Sequence, residues 1–227
     1  MKRKAVISLL LILVSASSFS QEKKQPVAPL DSVVRELYPQ RVRNIFKTTP
    51  LAMISGTVPF LSEFRLINEF VTSKKQASQM SFSYLGKGPV LFYIEELLKS
   101  QGDNINLVGS GFGFQAWHKF YLGKYSPKGL YLAPQVSYAI GRVSEKRLNQ
   151  YDLYLQWTHA SINMLMGAQI LIADKAAIDF YWGLGYKQNS LIYHESATNF
   201  TYLDDELPGI YTFPVKFNAG VHFGWAF

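Results

Sequence analysis

Along the last seventeen residues, Tyr211 to Phe227, apolar and polar or small positions alternate without a break. Tyr211, Phe213, Val215, Phe217, Ala219, Val221, Phe223, Trp225 and Phe227 hold the odd positions. Thr212, Lys216, Asn218, His222 and small residues hold the even ones. A period of two is that of a strand, whose successive side chains point to opposite faces. One face therefore meets an oily medium and the other a wet or crowded one. The length suits a bilayer, which a tilted strand crosses in about 9–11 residues.

Seven earlier segments read the same way: Ile45 to Ser55 (interrupted by Pro50), Val58 to Leu66, Ala77 to Leu85, Leu107 to Leu122, Gly129 to Arg142, Tyr151 to Ile172 and Ala176 to Lys187. In the second, Val58, Phe60, Phe64 and Leu66 are expected outside, with Glu63 and Arg65 inside. The fourth sets Phe112, Phe114, Phe120 and Leu122 against Gly111, Gly113, Gln115 and Lys119. The sixth sets Ile162, Met164 and Met166 against His159, Ser161, Asn163 and Gln169, and the seventh sets Phe180, Trp182 and Tyr186 against Asp179 and Tyr181. A soluble sandwich would bury its apolar face. Charges of both signs and glycines on the polar face, with aromatics opposite, favour a barrel in a membrane. The expected fold is all-β, an eight-stranded antiparallel transmembrane β-barrel over residues 45–227.

The connections alternate in kind, as in outer-membrane barrels with short periplasmic turns and longer external loops. Thr72 to Gln76, Lys124 to Lys128 and Ala173 to Lys175 are short; Gly86 to Asn106, Val143 to Gln150 and Asn189 to Gly209 are longer. Ser55 to Thr57 would be an unusually tight first outer turn. Pro89 to Ser100 has the apolar spacing of a short amphipathic helix, expected to cap the barrel mouth. At the N-terminus, Lys2, Arg3 and Lys4, the apolar run Ala5 to Val14 and Ser18-Phe19-Ser20 form a secretory signal, cleaved before Gln21. Residues 21–44 are read as a periplasmic lead. Both termini are then periplasmic and the address is the outer membrane.

Composition narrows the function. There is no cysteine, hence no lipid-modified N-terminus and no disulfide framework. Losing the signal lowers the formal charge from +7 to +4, and residues 21–47 hold most of the rest. The remainder is close to neutral and carries no basic stripe, so nucleic acid is excluded as a partner.

The aromatic C-terminal signal, the run Pro127-Lys128-Gly129-Leu130-Tyr131-Leu132-Ala133-Pro134 after Lys119-Phe120-Tyr121-Leu122, and Gly183-Leu184-Gly185-Tyr186 resemble small outer-membrane β-barrel proteins of unknown function from Bacteroidetes-type Gram-negative bacteria. The resemblance implies eight strands and recognition by the barrel-assembly machinery through Phe223, Trp225 and Phe227. It supplies no catalytic residues.

An eight-stranded barrel is only wide enough for side chains to fill, so Glu63, Arg65, Lys119, Asp179 and Lys216 are expected to form one paired lumenal network. His159-Ala160-Ser161 is the one candidate for catalysis, because a hydroxyl beside an imidazole is a means of activating a serine. The pair is similar to the His-x-Ser of lipid A 3-O-deacylases, but its neighbours Trp157, Thr158, Ile162 and Asn163 differ from that family's. By parity it faces the lumen, away from acyl chains, and Asp174 sits in a turn. His118, His194 and His222 show no metal-ligand spacing. The expected protein is therefore a non-enzymatic outer-membrane barrel without cofactor or metal. It would be a structural or accessory subunit of a larger envelope complex, in contact with outer-membrane lipid and other outer-membrane proteins. The alternative is a lipid-modifying enzyme using His159 and Ser161.

Overall fold

The computed structural model describes residues 42–54, 56–58, 60–101, 105–146, 153–196, 198–204 and 209–227. The expected signal at 1–20 and the lead as far as residue 41 lie outside them. The strands are β1 (Asn44–Thr48), β2 (Leu61–Ser73), β3 (Gln76–Lys87), β4 (Leu107–Tyr121), β5 (Gly129–Glu145), β6 (Tyr154–Ile172), β7 (Ala176–His194), β8 (Phe200–Tyr202) and β9 (Val215–Ala226). A 3-10 turn covers Pro50–Met53, and helices α1 (Pro89–Ser100) and α2 (Gly209–Thr212) lie in connections.

β1 to β7 pair antiparallel in order, and β9 pairs with β7 on one side and β1 on the other. These eight strands close an antiparallel barrel. β8 is a three-residue strand on the far end of β7 and not part of the ring. Two-residue and three-residue turns join β2 to β3 and β6 to β7; in the second, Ala173 and Asp174 both take positive φ, 51° and 54°. That left-handed pair suits the twist of a tight hairpin.

Alternation fixes which side faces in. Phe64, Leu66, Phe82, Phe112, Leu130, Met164, Trp182 and Phe217 are exposed on the outer wall, Leu66 to 75%. Glu63, Gln79, Gln115, Lys119, Gln135, Ser161 and Asp179 are buried inside.

Three expectations are corrected. Val58 is buried in the lumen rather than outward, because the chain leaves the sheet after β1, turning through Pro50–Met53, and rejoins it only at Leu61. The first outer connection is accordingly this longer segment, not a tight turn. The last strand starts at Val215, since α2 and Pro214 occupy the positions before it.

The long-loop end of the lumen is stoppered by apolar side chains. Val58, Leu61, Leu85, Ala139 and Trp157 cluster there with Leu91 of α1. Gly141 makes the room, since a Cβ there would come within 2.6 Å of Leu61 Cδ1. Glu95 anchors α1: its carboxylate accepts from Lys87 Nζ at 2.5 Å, Lys99 Nζ at 2.7 Å and the Leu107 backbone N–H at 2.6 Å. The Lys87 ammonium first, then Lys99 and the Leu107 amide, hold this carboxyl down to about 2. The bond to Glu95 raises Lys99 in turn.

Candidate functional site

Two polar clusters occupy the lumen. The first lies toward the short-turn end. Lys47 from β1, Glu69 from β2, Lys119 from β4 and Asp179 from β7 converge with no side-chain exposure. Lys119 Nζ donates to Glu69 Oε2 at 2.7 Å and Asp179 Oδ2 at 2.6 Å. Lys47 Nζ donates to Asp179 Oδ2 at 2.8 Å and to Glu69. The remaining oxygens are satisfied as well: Tyr121 OH donates to Glu69 at 2.9 Å and Tyr131 OH to Asp179 at 2.6 Å. Gln169 accepts from both lysines and donates to Glu69. Two cations face two anions, and this fully bonded arrangement is what makes buried charge tolerable.

The second cluster lies toward the long-loop end. Arg65 Nε and Nη2 both donate to Glu63 Oε1, at 3.0 and 2.7 Å. Glu63 also accepts from Ser83 and from the Thr57 hydroxyl and backbone N–H. Lys216 lies apart from that pair. Its Nζ is 3.1 Å from His159 Nε2, and among the described residues no carboxylate is within ion-pair distance. A cavity of about 210 Å³ opens beside Lys216 and Arg65, lined also by Gln115, Gln135, Tyr181 and Asn218. Gly220 is needed here, because a Cβ would collide with the Tyr181 hydroxyl.

All five expected network residues therefore point inward, but they form two groups rather than one. Lys119 and Asp179 belong to the first, and Glu63 and Arg65 pair in the second. Lys216 joins neither by an ion pair. Lys47 and Glu69 were not anticipated. Phe223, Trp225 and Phe227 line the outer wall, about half exposed, and Phe227 ties the end of β9 to the start of β1 through its backbone bonds to Arg43 and Asn44.

His159 and Ser161 share the lumenal face, yet each is bonded elsewhere. His159 Nδ1 is 2.6 Å from Asn189 Oδ1, while Ser161 Oγ is 2.7 Å from Ser137 Oγ and accepts from Asn163 Nδ2 at 3.0 Å. Both side chains are buried. Asp174 lies in the β6–β7 turn at the opposite end of the barrel. His118 bonds Ser78, His194 stacks on Tyr154, and His222 approaches Asp179 at 3.4 Å. Among the described residues no group of His, Asp and Glu is placed to hold a metal ion. No protein-family model, curated protein or solved structure is significantly similar to this chain.

Proposed function

We propose that the protein is an integral outer-membrane β-barrel without enzymatic activity, serving as a structural or accessory subunit of an envelope complex. The observation that carries the reading is the polarity of the closed sheet. The wall is apolar and aromatic on its outside, and the lumen holds paired charges and amides. In water such a wall would be an aggregation surface; in a bilayer it is the solvated side, and closure leaves the backbone of the complete ladders bonded. The stoppered lumen supports an occupied interior rather than a conduit. Exposed aromatics at the long-loop end, Phe92 and Tyr93 on α1 and Phe200 and Tyr202 on β8, suit contact with another envelope protein.

Expression in a Gram-negative host followed by membrane fractionation tests the address. The chain is expected in the outer-membrane fraction and should migrate differently on a gel before and after boiling. Recovery as a periplasmic soluble protein would refute it. The non-enzymatic part is tested by Ser161→Ala, which should leave lipid A and phospholipid acylation unchanged by mass spectrometry. Loss of an acyl-trimming product at normal barrel levels would establish the lipid-modifying alternative.

A further inference from the structure

The barrel wall is not uniform. β1 is only five residues long, so it pairs β9 from Phe223 to Ala226 and β2 from Leu66 to Phe70. Beyond it, toward the long-loop end, no strand among the described residues lies on that side of β9 from Val215 to His222. The 3-10 turn Pro50–Met53 takes the place of a strand, held to β2 by the Ser62 hydroxyl on the Met53 carbonyl and by the Gly56 N–H on the Leu61 carbonyl at 3.0 Å. The 210 Å³ cavity lies in this seam, between the turn and β9. Its lining includes outward-facing Leu51 and Ala219 as well as inward-facing Arg65 and Lys216, so it passes through the wall.

The chemistry inside the seam is that of an anion receptor. An ammonium has three donors, and the contact of Lys216 with His159 uses one. Neutral His159, donating from Nδ1 to Asn189, leaves Nε2 to accept it. Glu63 offsets Arg65, which among the described residues leaves the Lys216 charge in excess. Thr49 Oγ1 is buried, and Thr49 lines the same cavity; among the described residues that oxygen has no hydrogen-bond partner. Among the described residues no strand pairs β9 from Val215 to His222 on that side, and hydrocarbon could not satisfy such an edge, which favours a polar occupant beside it. The cavity is smaller than the roughly 300–1,000 Å³ of a drug-sized ligand site. It therefore suits a head group whose chains remain outside.

We propose that this seam is a lateral portal for an anionic lipid, whose phosphate or carboxylate is received by Lys216, Arg65, Asn218 and Thr49 while its acyl chains lie outside against Leu51 and Ala219. The proposal rests on the membrane reading above.

The test uses the full chain reconstituted in vesicles of equal phosphatidylglycerol and phosphatidylcholine. Flotation with the vesicles is read first; failure to float refutes the membrane reading itself. Floated protein is then extracted in mild detergent, and the retained lipid is identified by native mass spectrometry. One phosphatidylglycerol is expected in preference to phosphatidylcholine. Charge-assisted bonds of this kind predict that Lys216→Met lowers that preference by at least about tenfold. Ala219→Trp, which blocks the opening from outside without touching the charges, should do the same if Lys216→Met fails to assemble. Leu132→Trp on another part of the wall should not. Equal retention of the two lipids, or unchanged preference in the assembled variants, overturns the portal. So does displacement of the bound lipid by millimolar inorganic phosphate, which would identify a soluble anion as the occupant.

Discussion

The two polar clusters of this barrel are built from the same residue types and behave differently because of what surrounds them. The cluster of Lys47, Glu69, Lys119 and Asp179 sits where every strand has two neighbours, and each charge meets its opposite with no exposure. The cluster of Glu63, Arg65 and Lys216 sits beside the seam, where, among the described residues, no strand pairs β9 from Val215 to His222 on its β1 side and one cation has no carboxylate. Closure of the sheet decides whether a lumenal charge is a strut or an available ligand. Variants in each region should therefore fail in different ways.

The largest effect is expected in the closed cluster. Lys119→Met would leave Glu69 and Asp179 sharing one cation in a dry lumen, a loss of about 3–5 kcal/mol, read by urea unfolding from lipid vesicles. Next is the stopper: Leu61→Ala should cost about 2–4 kcal/mol for the cavity it leaves, with the same readout. Lys216→Met should change stability by less than about 1 kcal/mol, because Glu63 keeps its bonds to Arg65, Ser83 and Thr57. A large loss there would join the two clusters into one network and erase the contrast.

The smallest effect is local and depends on pH. Glu95 is held at about 2, below the ordinary value of about 4.3 for a glutamate. Its anchoring of α1 is therefore complete above that ordinary value and is lost as pH falls toward 2. Amide exchange in α1 should speed up across that window. Glu95→Gln should remove the dependence, and equal pH dependence in the variant would contradict the anchor.

Much of this was legible in the chain because period-two patterning is written residue by residue. Seven of the eight wall strands, β2 to β7 and β9, and the facing of Lys119, Asp179, His159 and Ser161 follow from parity. The parts that were not legible break that code. β2 continues past Leu66 with its in–out parity unbroken, but Ile67 points inward and Asn68 outward, so the apolar and polar types exchange faces just before Glu69. β1 is too short to show a pattern, which hid Lys47. Tyr211 to Pro214 keeps the alternation yet lies outside β9, because Gly209–Thr212 turns into α2 and the β9-side edge of β7 pairs with β8 at Ile192 to His194. Splitting the expected network into two groups required the register, which no local pattern contains.

If the wall is solvated by a bilayer, the odd positions of β9 should face lipid and the even ones the lumen. The chain has no cysteine, so single cysteines at positions 216, 217, 218, 221, 222 and 223 can each carry a fluorophore in vesicles containing brominated lipid. Quenching should alternate, strong at 217, 221 and 223 and weak at 216, 218 and 222. Uniform quenching, or the opposite alternation, would contradict a membrane barrel with this polarity.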